Sequence, residues 1–192
     1  MRTDVRTTHA MAAMPVVTAG GWLARRWYYT PKTRRAYSVR QVSPGDRRLL
    51  AEFAMSLGHE ADDGELGCVR DLSDMVFERV LASGAGVAVA YEALEGTTAG
   101  DRVIGVAAYA PITADTATFI VAVTRSFRDE QVGRTLLSTL IRHAKRVGIR
   151  RLSGGMDWST RPMQKLAQAT GFAIEPVAGD RGRRNLVLTL KY

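Results

Sequence analysis

The chain has 192 residues, 46% of them apolar and 24% charged, and a formal net charge of +8 carried by arginine far more than by lysine. That length suffices for one ordinary domain, which buries roughly 70% of its extended surface and holds a core without metal or disulfide help. The single cysteine, Cys68, excludes an internal disulfide, and no uninterrupted run of 18 apolar residues is present to span a membrane. The basic balance suits nucleic acid, an anionic membrane surface or a phosphate-bearing small ligand, and does not choose among them.

In chain order, residues 1–34 carry no sustained period and are expected to form a loosely ordered basic N-terminal extension. Within it "AMAAMPVVTAGGWLA" (10–24) faintly resembles an export signal. Pro15, two glycines and Asp4 argue against that, and Arg25-Arg26 stand where a cleavage site belongs, so a cytoplasmic location is expected. "RRWYYTPKTRR" (25–35) interleaves cations with aromatics, as a nucleic-acid arm would. A solvated tail whose aromatics dock on the parent domain is the preferred reading.

From Ala36 the pattern sharpens, and residues 35–192 are expected to form the domain. "AYSVRQV" alternates as a half-buried strand. "SPGDRRLLAEFAMSL" predicts a helix with Ser43 as N-cap and Pro44 in the first turn. "GHEADDGELGCV" (58–69) reads as an acidic loop, and "DLSDMVFERVLA" (71–82) as a short helix. Three apolar strands follow, 86–94, 102–112 and 117–124, with links short enough for hairpins. Then come a helix over 133–147, a strand "RRLSGGMDW", a helix "STRPMQKLAQATGF" and a closing strand pair, "AIEPVA" and "NLVLTLKY".

"SFRDEQVGRTLL" (126–137) joins the third apolar strand to the next helix. On that helix Val132, Leu136, Leu137, Leu140, Ile141, Ala144 and Val147 form one stripe, while Arg134, Ser138, Arg142, Lys145 and Arg146 face elsewhere. The first turn of a helix leaves N–H groups without intrahelical partners and carries partial positive charge. An anion could bind there to the backbone of residues 129–135, with Gly133 permitting close approach and Arg128 and Arg134 adding charge. A plain turn with solvated arginines has the same local sequence.

The run "VAVTRSFRDEQVGRTLLSTLIRHAKRVGIRRL", followed by "RPMQKLAQATGF", resembles the GCN5-related N-acetyltransferase (GNAT) superfamily. Its hallmark is a valine-ending strand, an R/Q-x-x-G-x-G/A turn, a helix, a strand and a helix ending in Gly-Phe. The likeness runs from about Tyr37 to Leu190, and "SPGDRRLLAEFAMSL" is similar to the corresponding helix in GNAT domains of bacterial protein-lysine acetyltransferases. The resemblance implies an α/β fold: a mixed, mostly antiparallel central sheet flanked by helices, with a splayed strand pair holding the cofactor. It implies acetyl-CoA as cosubstrate. Val121, Ala122 and Val123 would hold pantetheine, with Thr160 near it. Arg128, Gln131, Val132, Gly133, Arg134 and Thr135 would cradle pyrophosphate.

Four positions depart from the family pattern. Gln131 replaces the first motif glycine, Thr160 an asparagine, Ala167 a tyrosine that protonates the departing thiolate, and Thr118 a glutamate that acts as base. Loss of a general acid or base costs about 10²–10⁴-fold, whereas proximity alone supplies about 7–11 kcal/mol. No catalytic residue is therefore assigned. Asp157 could relay a proton, although a cap for "STRP" is the plainer role. Glu92, His59 and Glu60 read as surface residues, and His143 lies on the polar side of its helix. The implied activity is transfer of the acetyl group of acetyl-CoA to an amine acceptor, a small molecule or a protein lysine, by direct attack. The runner-up is an acyl-CoA-binding sensor or interaction module on a catalytically degenerate GNAT fold. No metal or membrane is expected, nucleic acid is disfavoured, and a homodimer is compatible. Glu60, Asp62, Asp63 and Glu65 would suit a cationic acceptor.

Overall fold

The computed structural model describes residues 23–60, 86–92, 102–157, 161–177 and 180–191. Strand propensity and helical spacing translate there into eight strands and three α-helices, in the order expected from Ala36 onward. The short helix expected at 71–82 and most of the acidic loop at 58–69 lie outside the described residues.

Strands β1 (Arg26–Tyr29), β2 (Ala36–Gln41), β3 (Val87–Glu92), β4 (Arg102–Pro111) and β5 (Thr116–Val123) form an antiparallel succession. β6 (Arg151–Asp157) joins β5 in parallel. β8 (Asp180–Thr189) lies between β6 and β7 (Ala173–Val177), giving the order β1-β2-β3-β4-β5-β6-β8-β7. Because side chains alternate faces along a strand, β3, β4 and β5 each feed two cores. β3 is buried along its whole length, which explains its nearly continuous apolar run.

On one face α1 (Arg47–Glu60) sets Leu50, Phe53 and Leu57 against Val87, Val89, Val103 and Val106. On the other, α2 (Val132–Arg146) packs Leu136, Leu137, Leu140 and Ala144 over Ala88, Ala90, Ile104 and Ala107. Each leucine buried there contributes about 1.5–3 kcal/mol. Alanines on the sheet let the helix sit close, so the large side chains come from one side and the small ones from the other. α3 (Arg161–Ala169) adds Ala167 to this second core.

A single 3-10 turn, Pro44–Asp46, precedes α1. The Asp46 carboxylate accepts bonds from the Ser43 N–H at 2.7 Å and the Ser43 hydroxyl at 2.8 Å, and a bidentate pair from Arg40 at 2.6 and 2.7 Å. Burial alone would raise its pKa; the bonds from Arg40 and Ser43 prevail and hold it down at about 2.

The sheet begins earlier than the boundary expected at residue 35. Arg26–Tyr29 pair with Ala36–Val39, so part of the basic stretch is an edge strand rather than a loose tail. Tyr28 docks by stacking on Tyr37 at 5.4 Å between centroids, while Trp27 and Tyr29 remain exposed. Four residues with three aromatics were too short to show a period.

Candidate active site

The pairing of β5 with β6 ends almost as soon as it begins. Thr116, Ala117 and Thr118 lie opposite Arg151, Leu152 and Ser153, and then the strands part. β5 continues to Val123 held only by β4, and β6 continues to Asp157 held by β8. The edge of β5 from Phe119 onward therefore presents backbone groups with no strand partner on the β6 side. Phe119 wedges the apex: a Cβ on Gly154 would stand 3.0 Å from its carbonyl oxygen and 2.9 Å from its ring. The ring also packs on Phe172, centroids 4.8 Å apart. Glycine at 154 lets the two strands meet at this point before they diverge. Neither Gly154 nor Phe119 was singled out in the sequence, where they look like ordinary strand residues.

β5 aims its open end at a turn. After a 3-10 turn, Arg125–Phe127, the chain places Asp129 at φ 62° and Gln131 at φ 63°, two left-handed non-glycine residues separated by Glu130. Alternation of left- and right-handed residues can curl backbone N–H groups toward a common point, the geometry of an anion-binding nest. Gln131 is also the N-cap of α2. The first backbone bond of the helix runs from Thr135 N–H to the Gln131 carbonyl at 3.0 Å. The N–H groups of Val132, Gly133 and Arg134 precede it and are the ones a helix leaves to an external acceptor.

The left-handed conformation of Gln131 also gives the physical reason for the family's glycine there. What matters is a positive φ, which glycine adopts freely and glutamine only under strain. Gly133 has no such conformation. A Cβ there would stand 3.5 Å from Leu166 and 3.6 Å from Val123, in ordinary contact. Its role is to keep open a gap bounded by α2, β5 and α3, a cradle that a side chain would fill.

The structure brings together most of the residues named in the sequence. Val121, Ala122 and Val123 lie on the splayed part of β5; Arg128 and Gln131 form the turn; Val132, Gly133, Arg134 and Thr135 form the first turn of α2. Val132 is fully buried, with its side chain in the core beneath the sheet. Thr160, and the side chains of Asp157, His59 and Glu60, lie outside the described residues. Thr118 is half-buried at the last paired position of β5, and Ala167 is in the core.

Two expectations are corrected. Glu92 is not a surface residue: it is buried at the end of β3, where Oε1 pairs with Arg35 and Oε2 with Arg102 at 2.6 Å. His143 does not face solvent from a polar helix side. It is 2% exposed and shares a 2.9 Å hydrogen bond with the Tyr109 hydroxyl. Burial, reinforced by Arg146, lowers its pKa to about 4; burial likewise pushes Tyr109 up to about 12. Both corrected residues sit where an element's polar side meets the sheet, a contact that helical or strand period alone does not reveal.

A strand pair that splays open into a nest and a helix N-terminus defines the GNAT class of acetyltransferase folds. The acetyltransferase (GNAT) family model matches residues 67–172, and the chain belongs to this family. No curated protein sequence matches it. The GNAT domain of PAT from S. lividans superposes with a TM-score of 0.64 at 16% identity, covering 86% of this chain and 97% of that one. yncA of Salmonella typhimurium, solved with its cofactor acetyl-CoA, gives 0.57 at 20% identity, covering 81% and 94%. A cAMP-binding acyltransferase from Mycobacterium smegmatis gives 0.58 at 19% identity, covering 88% of this chain and 48% of that one. Among the described residues no helix is long and apolar enough to cross a membrane, and no cluster of three His, Cys, Asp or Glu could hold a metal.

Proposed function

We propose that the protein is an N-acetyltransferase that moves the acetyl group of acetyl-CoA to an amine acceptor by direct attack. The observation that carries this reading is the continuity from the unpaired edge of β5 into the left-handed nest at Asp129–Gln131. The residues fit the cosubstrate: an extended amide-bearing arm needs a free strand edge, and a pyrophosphate needs convergent N–H donors. Bound acetyl-CoA supplies an activated thioester. The chain's own contribution is to extend the arm along Val121–Val123 and anchor the phosphates on Gln131–Arg134. An N–H at or beside Val123 would hold the oxyanion of the attacked carbonyl, and exclusion of water follows from the buried β5 side chains.

No side chain among the described residues is assigned as general acid. Ala167, where the family pattern has a tyrosine, is a small core residue, so proximity and the thiolate's own leaving ability carry the reaction. The same observation favours the second reading, an acyl-CoA-binding module. The acceptor is proposed as a small amine or a lysine side chain. Thiol release from acetyl-CoA over a panel of amines and lysine peptides, run beside calorimetric titration with CoA, tests both readings. Release supports the enzyme, and binding without release supports the module. Absence of binding overturns both.

A further inference from the structure

The nest is built from two distant parts of the chain. Glu130, between the two left-handed residues, is buried, and its Oε2 accepts the backbone N–H of Lys32 at 3.1 Å across 98 residues. Lys32 lies in the tight turn joining β1 to β2, and that turn is heavily tied. Thr30 N–H donates to the Arg35 carbonyl at 2.9 Å, Arg34 N–H to the Thr30 carbonyl at 3.1 Å, and Arg35 N–H to the Thr30 hydroxyl at 2.9 Å. The Thr30 hydroxyl also bonds that of Thr33 at 2.7 Å.

Two further contacts reach from the same hairpin to the same place. The Arg35 guanidinium lies 3.9 Å from the ring centroid of Phe127, fixed there by Glu92. The Tyr37 hydroxyl bonds the Thr135 hydroxyl at 3.1 Å, and Thr135 in turn donates to the Gln131 carbonyl at 3.1 Å. Phe127, Glu130 and Gln131 are thus each restrained by β1, β2 or the turn between them. The restraint has a physical purpose. Two non-glycine left-handed residues in three positions are strained, and such backbone persists only where its surroundings over-determine it. Turning the Glu130 carboxylate onto the hairpin also gives the charge a donor, which a buried carboxylate requires.

We propose that the β1–β2 hairpin is part of the cofactor site and that Glu130 is its positioning residue, holding the Asp129–Gln131 backbone in the anion-binding conformation through the Lys32 N–H. This rests on the acetyl-CoA reading above for its ligand, though not for its conformational content. Glu130→Ala removes the acceptor, while Glu130→Gln keeps an oxygen for the Lys32 N–H. The expected result is a Kd for CoA raised about 10-fold or more in Glu130→Ala and within about 3-fold of the parent in Glu130→Gln. The KM for acetyl-pantetheine, which lacks the pyrophosphate, should stay unchanged in both.

Parental CoA affinity in Glu130→Ala overturns the proposal. So does an equal loss toward CoA and acetyl-pantetheine, which marks general damage. If the parent binds no CoA, the acetyl-CoA reading fails, and amide exchange of ligand-free protein decides the rest. Faster exchange at Thr135–Leu137 in Glu130→Ala, absent in Glu130→Gln, upholds the positioning role. Identical exchange in all three proteins refutes it.

Discussion

Replacing Gln131 by glycine should make the protein more stable, although it deletes a side chain at a helix terminus. Gln131 holds φ 63° and ψ 2°. A left-handed conformation costs a non-glycine residue about 1–2 kcal/mol. Glycine removes that strain but returns about 0.4–1 kcal/mol through the greater freedom of its unfolded chain. Glycine is also a better N-cap than a residue whose side chain makes no capping bond, as is the case for Gln131. The balance is a gain of about 0.5–1 kcal/mol, which for a chain of this size raises Tm by roughly 1–4 °C. Gln131→Ala is the control, since it removes the side chain and leaves the strain, and its Tm should stay within about 1 °C of the parent. Differential scanning calorimetry measures all three proteins without ligand. A Gln131→Gly variant less stable than Gln131→Ala would refute the reasoning, because it would mean that residue 131 does not need a positive φ. CoA titration of the same variants adds the functional half: a bare backbone at 131 should bind the phosphates at least as tightly as the parent.

Four other outcomes follow from the structure. Gly133→Ala should leave Tm unchanged or slightly raised, since its Cβ meets only Val123 and Leu166 at ordinary distance and alanine favours helix. Gly133→Glu should weaken acetyl-CoA binding by more than about 10-fold, or 1.4 kcal/mol, in calorimetric titration; parental affinity would place the phosphate elsewhere. Gly154→Ala should cost about 1–3 kcal/mol through overpacking on Phe119 and lower Tm correspondingly; an unchanged Tm would mean the apex of the strands is loosely packed. Stability should fall as pH drops from about 6.5 toward 4, because the unfolded chain takes up a proton that buried His143 resists until about pH 4. The depression corresponds to about 3 kcal/mol, lost across that window. Urea titrations at several pH values should show this slope in the parent and not in His143→Gln. Asp46, whose carboxyl is held at about 2, destabilises only in the lower window below its ordinary value.

The described elements from Ala36 onward were legible because their causes are local. Alternation specifies β2, short apolar runs specify β3 to β5, and a stripe at helical spacing closed by Gly148 specifies α2. The turn at 128–133 was legible as the start of a helix with free N–H groups for the same reason, and its reading as an anion site is the proposal above. What the sequence could not determine depends on which segments meet. Nothing local places β8 between β6 and β7, or converts "RWYY" into an edge strand, since pairing partners are chosen by burial of the whole sheet. The polar aspect of His143 hid its burial against Tyr109, and Glu92 looked like an exposed charge until Arg35 of the β1–β2 turn and Arg102 of β4 closed on it. The strain at Asp129 and Gln131 was likewise invisible, because a positive φ in a non-glycine residue is imposed by packing. Its restraint by a hairpin 98 residues away is a tertiary fact. Local spacing determined where an anion could bind; long-range contact decided the backbone shape that would receive it.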